Sequence, residues 1–267
     1  MSIITQSSDL SLAPTLAPIV RASSNKVATA LTNLANLGFH SVQLDATIDG
    51  IRPRQLSTRA RKDLLALMNR HAITPAGIDA FVPRDHLTDP AQQDRAVSAI
   101  HQAITLAADL GRIPVSLALH PTETPSDILC SILQTADATS VPLALHAEDL
   151  LPDLTSLLTT QNLPFLGLAL DPAAAIAYNH SPLDILNQHA KLIKIVRLSD
   201  AAHRQQGPTR LPISAPDSSL DLTTFRISAD LLPHRLGPIV LDLRQLPNPL
   251  QAAAQAKSAW DDAAFSL

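Results

Sequence analysis

Apolar positions in this chain recur with two periods. Eight short runs read as strands: APIVRA (17–22), SVQLDA (41–46), TPAGIDAF (74–81), IPVSLAL (113–119), VPLALHA (141–147), FLGLALD (165–171), LIKIVRL (192–198) and PIVLDLR (238–244). Several are almost continuously apolar, as parallel strands covered on both faces should be. Between them apolar residues return every three or four positions, as on the buried stripe of a helix. Residues 25–37 align Val27, Ala30, Leu31 and Leu34, and residues 58–71 align Ala60, Leu64, Leu67 and Met68. The third helix opens on Asp89-Pro90, an N-cap followed by an N1 proline. It carries Ala96, Ile100, Ala103, Ile104 and Ala107, and it stops at Gly111. Thr124-Pro125 and Ser181-Pro182 repeat that start, placing Asp127 and Asp184 against the positive helix end. Asn248-Pro249 begins a last, alanine-rich helix that ends near Trp260.

Strand followed by helix, eight times over, predicts a single (β/α)₈ barrel covering residues 1–267, with no linker or second domain. The length suits a barrel, for which about 250 residues is typical. A doubly wound open sheet is the alternative, but it would usually have fewer strands and a Gly-rich first turn. Residues 201–220 lack periodicity and read as a long loop after the seventh strand, at the mouth formed by the strands' C-terminal ends.

Composition narrows the function. Hydrophobic residues at 46% and charged residues at 16% argue against disorder. No apolar run reaches the roughly 18 residues of a membrane span. The start MSIITQSSDLSL lacks a basic region leading into an apolar one, so no signal peptide is expected. The single Cys130 excludes an internal disulfide and fits a cytoplasmic protein. Beside Leu129 and Leu133 it reads as a small buried hydrophobe. A net charge of −4 without a Lys/Arg run, and 3% aromatics, speak against nucleic acid as a partner. Seven glycines occur, none in a phosphate-cradling motif, so a nucleotide has little support.

Four segments carry a resemblance. LTNLANLGFHSVQLD, AITLAADLGRIPV, LALDPAAA and IVRLSDA, in this order and spacing, resemble the xylose isomerase-like TIM-barrel superfamily of sugar phosphate isomerases and epimerases. The similarity runs over roughly residues 16–245. It implies a small sugar or polyol substrate and proton transfer next to a carbonyl. It also implies a divalent metal (Mn, Mg, Co or Zn) held by Glu, Asp, His and Glu at the ends of strands 5 to 8, and it allows a homodimer. Such a cation takes carboxylate and imidazole ligands from neighbouring strands and polarises the substrate while a carboxylate moves the proton.

Residue by residue, His146 stands where the family has the first Glu, Asp171 retains the Asp, Arg197 replaces the His, and Asp242 replaces the last Glu. Ala174 and Ser199 stand where the family has a further His and Lys, while Asp200 is kept. The resemblance therefore assigns His146, Asp171 and Asp242 to catalysis and to the metal, with Glu148 as a possible exchange for His146. Arg197, Asp200 and Asp45 at family positions, with His120 at the end of strand 4 and Arg21 near the end of strand 1, are the candidates for substrate contact. A guanidinium has only donors and cannot ligate a metal, so Arg197 is expected to pair with Asp171 and Asp242. A pocket of that kind could still bind a polyol, a carboxylate or a phosphate without metal.

Each residue also has a plainer reading. Asp171 could cap the helix after Pro172, and Asp242 could pair with Arg197 or Arg244. His146 could bond a backbone carbonyl, and Asp200 could hold a turn. Arg84, Asp85 and His86 read as a solvated loop, with His203 in the long loop. Three functions follow: an isomerase or epimerase with a degenerate metal site; a catalytically inactive barrel that binds a small molecule or acts as a scaffold; and, with least support, a metal-dependent endonuclease.

Overall fold

Most strands carry large aliphatic residues on one face and small or polar residues on the other, and a sheet of that kind can be buried on both sides by closing into a ring. In the computed structural model, which describes residues 10–204, 207–233 and 236–264, it does so. The chain runs β1 (Leu12–Pro14), α1 (Leu16–Ala22), α2 (Val27–Asn36), β2 (Ser41–Asp45), α3 (Thr58–Arg70), β3 (Thr74–Asp79) and α4 (Gln93–Asp109). There follow β4 (Val115–Ala118), α5 (Ser126–Thr139), β5 (Leu143–His146), α6 (Leu151–Gln161), β6 (Leu166–Leu170), α7 (Pro172–Ala177) and α8 (Pro182–Gln188). The last third holds β7 (Ile193–Leu198), a hairpin of β8 (Asp200–Arg204) and β9 (Gly207–Leu211), then α9 (Leu222–Asp230), β10 (Ile239–Leu241) and α10 (Pro249–Ala264). Eight parallel strands pair in the order β1-β10-β7-β6-β5-β4-β3-β2. The ring closes between β1 and β2 through a parallel bridge from Thr15 to Gln43.

Two expectations are corrected here. Residues 17–22 form helix α1, and the first strand lies earlier, at Leu12–Pro14. An apolar run of this length does not distinguish strand from helix by pattern. Leu16, Ile19 and Val20 lie on one buried helical face. Pro18 sits in the first turn, where its missing N–H costs nothing. The second correction concerns 201–220, whose first half is the antiparallel hairpin pairing Asp200 with Leu211 and Ala201 with Arg210.

Of the three cap-plus-proline starts expected, α8 follows the expected chemistry, whereas at α5 Pro125 itself stands at the cap position and no side chain caps the helix. Ser181 accepts a hydrogen bond from the Asp184 N–H at 3.2 Å, ahead of Pro182 at the first helical position. Asp89 instead stabilises a turn by accepting from the Ala91 N–H, and α4 starts later, at Gln93.

Successive strand residues face opposite ways. Leu143, Leu145, Leu168, Leu170, Val196 and Leu198 join the large core beneath the helices. Ala144, Ala169, Ile195 and Val240 form a separate cluster. Two residues further along the same strands stand His146, Asp171, Arg197 and Asp242. The barrel interior is thus a small apolar layer with a charged layer above it, toward the mouth.

Gly167 in β6 has no room for a side chain: a Cβ there would lie 2.3 Å from the Leu192 carbonyl oxygen and 2.3 Å from Lys194 Cγ. Gly167→Ala should lower stability by about 1–3 kcal/mol through overpacking, read as an earlier urea midpoint. An unchanged midpoint would contradict this β6–β7 packing.

Candidate active site at the barrel mouth

The charged layer is organised by Arg197. It projects from β7 with no solvent exposure. Its Nη2 donates to Asp79 Oδ2 on β3 at 2.9 Å and to Asp242 Oδ2 beyond β10 at 3.4 Å. Nη1 reaches Ser116 Oγ on β4 at 3.4 Å, and Ser116 in turn donates to Asp79 Oδ1 at 3.3 Å. Gln43 Nε2 on β2 adds a bond to the same Ser116 oxygen at 3.3 Å.

Two further guanidiniums close the cluster from above. Arg244 contacts Asp242 Oδ2 through Nη2 at 2.7 Å and Asp79 Oδ2 through Nη1 at 3.3 Å. Arg210, carried by β9 of the hairpin, donates to Asp171 Oδ2 and reaches Asp242 Oδ2 at 3.3 Å. Asp171 also accepts from Ser199 Oγ at 2.5 Å and from the Ala174 N–H at 3.1 Å, which caps α7. Three carboxylates and three guanidiniums meet with formal charges that cancel.

Burial alone would raise the carboxyl pKa of Asp79, Asp171 and Asp242. The neighbouring guanidiniums outweigh it, chiefly Arg197 and Arg244 at Asp79 and Asp242 and Arg210 at Asp171, and hold all three below the ordinary value of 3.8. Asp45, at the end of β2, goes the other way. Burial raises it more than the Thr47 hydrogen bonds lower it, and the charge of Asp79 adds to the rise.

The other sequence candidates sit as follows. His146 ends β5 with Nδ1 3.8 Å from Glu148 Oε1, an oxygen without a hydrogen-bond partner among the described residues. His120 lies beyond β4, with Nε2 3.3 Å from Glu123 Oε1 and Nδ1 accepting from the Glu123 N–H. Asp200 holds the 218–220 segment by accepting from Ser218 Oγ and from the Ser219 and Leu220 N–H groups. Arg21 falls in the last turn of α1, not in a strand, and is exposed. The expected pairing of Arg197 with Asp171 is not direct: the guanidinium hydrogen-bonded to Asp171 among the described residues is that of Arg210, while Arg197 acts on it through its charge. Arg84, read as solvated, forms a two-pronged pair with Asp149 at 2.7 and 2.5 Å. That pair ties the loop after β3 to the turn after β5. Cys130 is exposed, not buried. The side chain of His203 lies outside the described residues.

Asp79, Ser116, Gln43 and Arg210 were not singled out from the sequence. Asp79 offered the same signal as Asp171, a charge closing an apolar strand. Arg210 offered none, because its stretch has no periodicity.

No protein-family model matches the chain, and no curated protein matches it in sequence. Solved structures share its fold. A xylose isomerase domain protein from Planctomyces limnophilus superposes with a TM-score of 0.74 at 17% identity, over 88% of this chain and 92% of its own. A xylose isomerase-like TIM-barrel protein from Mycobacterium smegmatis, in complex with magnesium, gives 0.71 at 12% identity, over 97% of both chains. A D-tagatose 3-epimerase-like protein gives 0.71 at 14% identity, over 96% of this chain and 98% of its own. The chain shares the (β/α)₈ barrel fold of these proteins.

A divalent metal does not fit the residues at this mouth. Among the described residues, no three His, Cys, Asp or Glu groups are placed to hold one. Asp171 and Asp242 already face guanidiniums, whose fixed positive charge would oppose a cation at the same oxygens.

The depressed carboxyls set a pH dependence. Their folded pKa values lie below the unfolded ones, so the unfolded chain takes up protons first as the medium acidifies. Stabilisation is complete above about pH 5 and is lost as pH falls below about 4. In Arg197→Met, buried carboxylates lose a partner, which should cost about 3–5 kcal/mol at neutral pH. Urea melts from pH 7 to pH 3 should show lower stability and a shallower acid slope than the wild type. A variant matching the wild type in both would remove Arg197 from the centre of the cluster.

Proposed function

We propose that this protein binds a small polyhydroxylated ligand (a sugar, sugar acid or polyol) at the barrel mouth through guanidinium groups and without a divalent metal. One observation carries the reading: the carboxylates of Asp171 and Asp242 are bridged by Arg210, with Arg197 and Arg244 also on Asp242. The Arg210 and Arg244 side chains keep 19% and 23% of their surface, so their outer faces can meet ligand oxygens. The fold supports the ligand class, since neighbours with this architecture are sugar epimerase-like proteins.

The same geometry argues against Asp79, Asp171 or Asp242 as the base of an isomerase. A useful general base has a pKa near the working pH, whereas these three are held low. A second reading keeps the isomerase chemistry and moves the proton transfer to His146, with Glu148 beside it. It is favoured by the Glu148 oxygen 3.8 Å from the imidazole, an oxygen that has no hydrogen-bond partner among the described residues.

Calorimetry with aldoses, ketoses, aldonates and polyols, with and without EDTA, tests the first reading. Binding should be indifferent to EDTA, and Arg210→Ala should weaken it by about tenfold or more, the worth of a charge-assisted hydrogen bond. Stoichiometric, tight Mn²⁺ uptake, or binding abolished by EDTA, would overturn it. Solvent deuterium entering the ligand next to its carbonyl, and ceasing in His146→Asn, would establish the second reading instead.

A further inference from the structure

A cavity lies outside the charged cluster, on the rim between the loops after β2 and β3 and the start of α4. Its volume is about 510 Å³. Arg52, Arg54 and Arg95 line it, with Phe81, Val82 and Pro53 as the apolar part of its wall. No acidic residue lines it, although the chain as a whole carries a net charge of −4. A concave surface lined by one sign of charge concentrates counter-ions.

The arginines are not consumed by the fold. Arg54 and Arg95 are exposed and have no ion-pair partner among the described residues. Arg52 is held by Nη2 bonds to the Thr47 carbonyl at 3.0 Å and to Asp49 at 3.2 Å. The Asp49 side chain is 87% exposed, so it is a solvated, weak competitor for that guanidinium. Phe81 is 56% exposed, large for a phenyl ring, and Arg244 of the mouth cluster stands 5.9 Å from its centroid. The ring therefore lies between this cavity and the mouth.

We propose that this rim cavity is a binding site for an organic phosphate with a flat, apolar body. The phosphate would be held by Arg52, Arg54 and Arg95, and the body would lie on Phe81. Three guanidiniums hold more donors than one carboxylate can use, whereas the terminal oxygens of a phosphate can accept from several forks at once. Phe81 supplies the apolar platform, with Val82 and Pro53 beside it. This site does not rest on the metal-free reading of the mouth, and none of its three arginines belongs to the mouth cluster.

Phenyl phosphate, inorganic phosphate and phenol, each titrated into the full chain by calorimetry at low salt, test the proposal. Phenyl phosphate should bind at least tenfold more tightly than either fragment and weaken as salt is added. The double variant R54A/R95A should lose at least tenfold in affinity. F81A should lose about fivefold, in line with an aromatic contact of about 1 kcal/mol. Unchanged circular dichroism and thermal midpoint would show that these surface substitutions leave the fold intact. Equal affinity for phenyl phosphate and inorganic phosphate would overturn the proposal, as would full phenyl phosphate binding by a folded R54A/R95A.

Discussion

A guanidinium buried to zero exposure inside a barrel is the constraint around which the mouth is built. Desolvating such a charge costs several kcal/mol unless carboxylates and hydrogen bonds replace the water. Arg197 obtains Asp79 and Asp242, which leaves one excess negative charge, and Asp171 adds another. Arg244 and Arg210 bring the sum to zero. Each member is thus needed by the next: removing one strands its neighbours in a medium where an unpaired charge is expensive. Ion networks of this kind add little net stability over apolar packing, yet they penalise every arrangement except the complete one.

Ring geometry explains why one side chain can join these groups. In a ring of eight strands, β7 and β3 lie four places apart, on opposite sides. Arg197 spans that interval to reach Asp79. It can do so because Ser116 on β4 is small, and because Ala144 and Ala169 fill the layer below without rising into the lumen. Had these been leucines, they would have filled the lumen, and the guanidinium would have had no path across it.

Much of the fold could be read from the chain, and rather less of the site. The short apolar runs, alternating with helical patterns, located seven of the eight barrel strands, because run length and turn residues are local signals. The first strand was misplaced because 12–22 is apolar apart from Thr15 and Arg21, and helix and strand then differ only in which neighbours bury it. Asp242 and its pairing with Arg197 and Arg244 were legible, since a charge in an apolar strand needs a partner. Asp79 could have been found by the same argument. Arg210 could not: it is delivered by a hairpin that folds back over the mouth, a tertiary event with no trace in local pattern. Asp171 caps α7 through one oxygen, as its plainer reading had it, and pairs with Arg210 through the other, a partner the sequence did not suggest. A carboxylate has lone pairs enough for both.

The division of labour along the strands bears on what the charges are for. The Ala144, Ala169, Ile195 and Val240 layer packs the barrel interior with apolar contacts, which stabilise without a desolvation cost. The next layer up could have been built the same way, and well-packed apolar residues in place of buried ion pairs often give equal or greater stability. A six-charge cluster at the C-terminal ends of the strands is therefore poorly explained by folding alone. Its placement is where barrels present side chains to ligands. Its internal neutrality leaves a set of fixed dipoles rather than a net charge. Such a surface favours ligands that bring both donors and acceptors, as a polyol does. It discriminates against a bare cation, which would have to separate carboxylates from the guanidiniums already holding them.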